Sequence, residues 1–144
     1  MDQVTNPRCV FTEGSIALPA DYIEQTVNIL IAPQKPSLNI SRDRLENGES
    51  FEAWLARQRE MLQKGLRGYE ALDEQPLTLN AGQLQGISLL SSYQPQKDQT
   101  CYQRQAVFPL PGGAILIFTL ASPQPLTEQD EALFTNCLQS YQQP

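Results

Sequence analysis

The chain has 144 residues and a mass of 16.1 kDa, the size of one compact domain that buries roughly 70% of its unfolded surface and needs no metal or disulfide to hold it. Hydrophobic residues at 40% and charged ones at 18% exclude a disordered chain, and a net charge of −6 has the wrong sign for a sequence-independent nucleic-acid binder. There is no histidine, which removes the commonest general base, the usual metal ligand and every Ser–His or Cys–His pair.

The chain opens with short strands, Cys9 to Thr12 and Ser15 to Leu18, separated by Glu13-Gly14 and closed by Pro19. Thr26 to Ala32 is a stronger strand, rich in β-branched residues and ended by Pro33. Ser37 to Asp43 alternates, with Leu38 and Ile40 on one face and Ser37, Asn39 and Ser41 on the other. Pro33 to Pro36 then connects two antiparallel neighbours. A helix is predicted over Glu49 to Leu66, capped by Asn47 or Ser50 and left through Gly65 and Gly68. Its apolar stripe is Phe51, Trp54, Leu55, Leu62 and Leu66.

Strands return after the helix. Tyr69 to Leu79 is a broken run interrupted by Pro76. Leu84 to Gln94 and Thr100 to Phe108 form a hairpin around the polar turn Pro95 to Gln99. Pro111-Gly112-Gly113 turns into Ala114 to Thr119, an apolar strand covered on both faces. Thr127-x-x-Asp130 starts a last helix whose stripe is Leu133, Phe134, Cys137, Leu138 and Tyr141. No repeat and no domain boundary is visible. The pattern gives a single α+β domain over residues 1–144, a mostly antiparallel sheet with helices packed on it.

Cys9, Cys101 and Cys137 are odd in number and widely spaced; the expectation is three buried, reduced thiols rather than a disulfide framework or a zinc site. The longest apolar run, Ala114 to Ala121, is far short of the ~20 residues that span a bilayer. Met1 to Asn6 shows neither a basic start nor an apolar stretch, so the expected address is the cytoplasm.

Two positions stand out chemically. Gln58 falls between Leu55 and Leu62 on the helical wheel, inside the stripe that should be buried. An unpaired buried amide costs roughly 1–3 kcal/mol, so Gln58 either bonds to a strand backbone in the core or lines a groove and bonds to what enters it. Ser37, Asn39 and Ser41 either meet water or form a groove wall beside the apolar side chains of Val27, Ile29 and Ile31. Arg42, Arg44, Arg57, Arg59, Lys64 and Arg67 interleave with acidic residues and read as a solvated, salt-bridged face. The pairs Asp73/Glu74 and Asp130/Glu131 lie in turn-like or helix-start contexts and do not make a shared-proton dyad. Gly112-Gly113 is too short for a phosphate loop. No catalytic constellation, metal site or cofactor site is indicated.

The segment Ile40 to Gln58, I-S-R-D-R-L-E-N-G-E-S-F-E-A-W-L-A-R-Q, resembles the DcrB-like proteins and, within them, the effector-associated (Eag) chaperones of bacterial type VI secretion. The resemblance takes in Val27-Asn28-Ile29, the helix ending at Leu66 and Gly68, Leu77-Thr78-Leu79 and Arg104-Gln105, and spans about Phe11 to Tyr141. It implies a PsbP-like fold, a twisted antiparallel sheet flanked by helices. It implies a non-enzymatic homodimer whose concave apolar groove shields the transmembrane-like N-terminal helices of an effector before loading onto the secretion spike, with no cofactor, nucleic acid or stable membrane insertion. By position, Val27, Ile29, Leu62 and Leu66 would line the groove, and Ser37, Gln58 and Gln105 match polar positions that bond to the bound helices. Asn39, also in the groove, stands where the family usually carries an apolar residue. The alternative is a DcrB-like envelope-associated or lipid-binding protein. A groove for apolar helices needs area and a few polar groups, and a two-fold dimer doubles the concave surface of one small domain.

Overall fold

Residues 7–144 are described by the computed structural model; Met1 to Asn6, read above for a targeting signal, lies outside the described residues. The chain starts with a separate two-stranded hairpin, β1 (Arg8–Phe11) and β2 (Gly14–Ala17). The remaining strands, β3 (Asn28–Leu30), β4 (Ser37–Arg44), β5 (Glu70–Leu79), β6 (Leu84–Gln96), β7 (Gln99–Pro109) and β8 (Ala114–Ser122), form one antiparallel sheet in the order β3-β4-β8-β7-β6-β5. Helix α1 (Phe51–Gly65) follows β4, and α2 (Glu128–Gln139) closes the chain. This is the α+β single-domain arrangement expected from the pattern.

The two helices cover opposite faces of the sheet. Strand alternation sends Leu38, Phe108, Phe118 and Leu120 to one face, where they meet Phe134 and Leu138 of α2. The Phe108 and Phe118 rings there pack edge to face, 6.1 Å between centroids. Val107 and Ile115 point to the other face and meet Trp54 and Leu55 of α1. Strand β8 is covered on both sides, as its unbroken apolar run requires. Both helices have side-chain caps. Ser50 Oγ accepts the Ala53 N–H at 3.1 Å, and Thr127 and Asp130 bond reciprocally in a capping box.

Several expectations change. The strand expected over Thr26 to Ala32 pairs only at Asn28–Leu30, because it sits at the sheet edge and only those three residues oppose β4. Tyr69 to Leu79 is not broken: Pro76 lies inside the continuous edge strand β5, where a missing N–H costs no ladder bond on the outer side. Leu133 and Cys137 of the last helix face solvent, and only Phe134 and Leu138 are buried there. The three cysteines are free, but none is buried: Cys9 and Cys101 are half-buried and Cys137 is exposed. Strand-like neighbours could not distinguish the two-sided core from a margin open on one side.

Candidate functional site

Helix α1 is fastened to β4 through its first half. Trp54 Nε1 donates to Asp43 Oδ2 at 2.9 Å, and the Phe51 ring stacks on Trp54 at 6.0 Å. Arg57 grips Glu49 through Nε at 2.9 Å and Nη2 at 3.0 Å, bracing the helix against the turn that enters it. These bonds, with the backbone N–H of Glu46, hold the Glu49 carboxyl below its ordinary value, and the same carboxylate raises the Arg57 guanidinium.

Beyond Arg57 the helix overhangs a cavity of about 320 Å³ between α1, the start of β5 and the middle of the sheet. Its apolar walls include Trp54, Leu62, Leu89, Val107 and Ile117, and its polar groups include Gln58 from the helix and Gln105 from β7. Arg59 pairs with Glu74 across the gap between α1 and β5, closing the cavity on that flank. A cavity of roughly 150 Å³ admits a benzene molecule, so this one takes two or three large side chains and not a whole helix. An occupant of helical form would lie across the mouth and insert side chains.

The sheet beneath carries a polar row. Strand register places Ile29, Asn39, Thr119, Gln105, Leu89 and Glu74 side by side across all six strands, on the α1 face. Gln105 Nε2 donates to Thr119 Oγ1 at 3.2 Å. Asn39 Oδ1 is buried and accepts from no protein group among the described residues. The next row holds Ser37, Ala121, Gln103, Ser91 and Ala71, with Gln103 Nε2 donating to Ser91 Oγ at 3.3 Å. Gln58 is half-buried at the cavity wall, and no backbone group of the sheet bonds its amide among the described residues.

Gln58, Leu62 and Gln105 meet at one cavity. Asn39 and Ile29 continue the Gln105 row outward, and Ser37 lies one row away, at a separate hollow beside Ala121 and Cys101. Val27 and Ile29 stand exposed at the sheet edge, on the far side of β4 and β8 from β7. Leu66 does not join the cavity. Helix α1 ends at Gly65, and Leu66 turns extended (φ −108°, ψ 130°) toward the tip of the β6–β7 hairpin at Tyr93 to Lys97. In that hairpin, burial and then a hydrogen bond with Cys101 push the Tyr93 phenol up. Sequence reasoning overlooked Gln103, although Gln103 and Gln105 flank Arg104 and strand alternation alone sets them on one face. Arg104 points the other way, bonding Glu131 of α2 at 3.0 Å and Ser88 at 3.1 Å.

The family model for DcrB matches residues 13–140. The chain belongs to the DcrB family. A crystal structure of PA94, a protein of unknown function from Pseudomonas aeruginosa, superposes on this DcrB-family protein with a TM-score of 0.69; the two are 22% identical, and the match covers 96% of each chain. At that identity the likeness is one of fold. No curated protein matches the sequence. Among the described residues no helix is long and apolar enough to cross a membrane.

Proposed function

We propose that this DcrB-family protein is a non-enzymatic chaperone or adaptor that shields the apolar, transmembrane-like N-terminal helices of a type VI secretion effector in the cytoplasm and aids their loading onto the spike. The observation that carries the reading is the pairing of an apolar cavity of about 320 Å³ with neutral amide groups on both of its walls, Gln58 above and Gln105 below. Membrane-type helices carry small and polar residues that pack and hydrogen-bond between helices, so a site that stands in for a neighbouring helix needs apolar depth and a few neutral bonding groups. Glutamine suits the task because it both donates and accepts and costs far less than a charge when the site is empty and partly dry. Asn39 continues the same chemistry along the row with its unused acceptor.

Affinity purification of the tagged protein from its native host, with the co-purifying chains identified by mass spectrometry, tests the role. The expected result is an effector with apolar helices near its N-terminus, retained by the wild type and lost with Leu62→Asp. Recovery of the protein with extractable lipid alone would contradict the effector role and favour a lipid carrier using the same cavity.

A further inference from the structure

The cavity under α1 has a neighbour. A second hollow, of about 410 Å³, lies between the first half of α1 and the later part of β5, with Glu52, Gln75, Pro76 and Ile87 on its walls. Leu55, Arg59 and Glu74 line both hollows. The Arg59–Glu74 ion pair is therefore the partition between them. Glu52 and Pro76 stand at one end of the combined space and Gln63 and Ala71 at the other, so α1 and β5 run side by side in opposite directions. From Glu52 to Gln63 the helix rises roughly 17 Å, and from Ala71 to Pro76 the strand advances about the same. That length matches about three turns of an α-helix.

We propose that the Arg59–Glu74 pair is a latch across one continuous trough, and that it opens to let an apolar helix seat side chains from about three successive turns. Three features make the pair a latch rather than a wall. Its side chains are 42% and 46% exposed, and ion pairs so open to water hold weakly and are screened by salt. Among the described residues, no other ion pair or side-chain hydrogen bond joins α1 to β5. The bonds that fasten α1, Trp54 to Asp43 and Arg57 to Glu49, reach β4 and the turn before the helix instead. Strand β5 is also free to yield: it has a neighbour on one side only, and its register breaks around Leu72, two residues before Glu74.

Arg59 is the only basic residue on either hollow, and Glu74 is its partner there. Asp73, the adjacent acid, is engaged from the other face of the sheet by Arg104 at 3.6 Å. Neither Arg59 nor Glu74 is buried, so both charges stay hydrated when the pair parts. The apolar lining of Ile87, Leu55 and Leu89 then runs unbroken. The latch rests on the two hollows and the pair between them; its role in admitting a guest helix rests on the chaperone reading.

Titration of the full chain with the neutral apolar dye N-phenylnaphthylamine, read by dye fluorescence, tests the latch without a guest. A shut latch lowers the wild-type affinity by the fraction of chains that hold it closed. Glu74→Gln should therefore bind the dye about two- to five-fold more tightly, and Arg59→Gln likewise. The dye carries no charge, so salt acts on the pair. Between about 0.01 M and about 1 M, where the Debye length falls from ~30 Å to ~3 Å, the wild type should converge on Glu74→Gln. The double exchange of Arg59→Glu with Glu74→Arg should restore the wild-type affinity and its salt response. Equal affinities in the wild type and the single variants, a gap that salt leaves unchanged, or a double exchange that behaves like the single variants would overturn the proposal. So would the failure of every form to bind the dye. Should one single variant fail to fold by circular dichroism, the other decides. Repeating the series with an apolar helix peptide separates the two readings: the dye effects without helix binding sink the chaperone reading alone, and helix binding indifferent to the pair sinks the latch alone.

Discussion

Replacing Gln58 with leucine separates a binding amide from a structural one. Gln58 lines the cavity and spends no bond on the sheet among the described residues, so Gln58→Leu removes no internal hydrogen bond and adds apolar surface to an apolar wall. Urea denaturation should give an unchanged m-value and a stability equal to the wild type or up to ~1 kcal/mol higher. Binding is affected in the opposite sense. A net hydrogen bond is worth roughly 0.5–1.5 kcal/mol, so affinity for an apolar helix bearing a polar residue should fall about two- to twelve-fold. Affinity for an all-aliphatic helix should stay level or rise. Calorimetric titration with the two peptides reads both numbers. A stability loss above ~1 kcal/mol in Gln58→Leu would refute the reasoning, because it would mean that the amide bonds to the protein itself.

Other substitutions probe the frame that holds the cavity open. A Cβ at Gly86 would run into the Val107 carbonyl oxygen and the Phe108 ring. Gly86→Ala should therefore cost about 3 kcal/mol and lower Tm by roughly 10 °C in calorimetry; a shift within about 2 °C would show that the strands part freely there. Trp54→Phe keeps the apolar fill but leaves half-buried Asp43 Oδ2 without its donor, and denaturant melting should show a loss of about 1–3 kcal/mol. Glu49 is held below its ordinary value of 4.5 chiefly by its bond to Arg57. Its folded form keeps the charge to lower pH than the unfolded form, so the stabilisation is whole above 4.5 and is lost as pH falls through the lowered folded value. Glu49→Gln should therefore be less stable than the wild type at neutral pH, with the gap closing in acid; a gap that widens in acid contradicts the Arg57 contact.

Much of the frame was legible because it follows from period and caps. The alternation of Ser37 to Asp43, the Thr127-x-x-Asp130 signature and the apolar run of β8 each name an element and the face it presents. Gln58 was legible for the same reason, as the one amide inside a helical stripe. The cavity was not, because it depends on β5 lying beside β6 and on the register break around Leu72, neither of which leaves a local pattern. Leu66 fits the periodicity of the stripe yet leaves the helix after Gly65, where the chain turns extended. Val27 and Ile29 read as strand residues in sequence, but only the sheet order shows that they stand on an edge without a neighbour.

Trp54 is the only tryptophan of the chain and it lines the cavity, so its emission reports directly on what enters. The most direct measurement is a fluorescence titration of the full chain with a synthetic helix of about 20 apolar residues, flanked by lysines and carrying one central serine, at physiological salt. The account predicts a saturable change in Trp54 emission, weaker in affinity for Gln58→Leu than for the wild type. An emission that does not respond, or one that responds with the same affinity in both proteins, would contradict it.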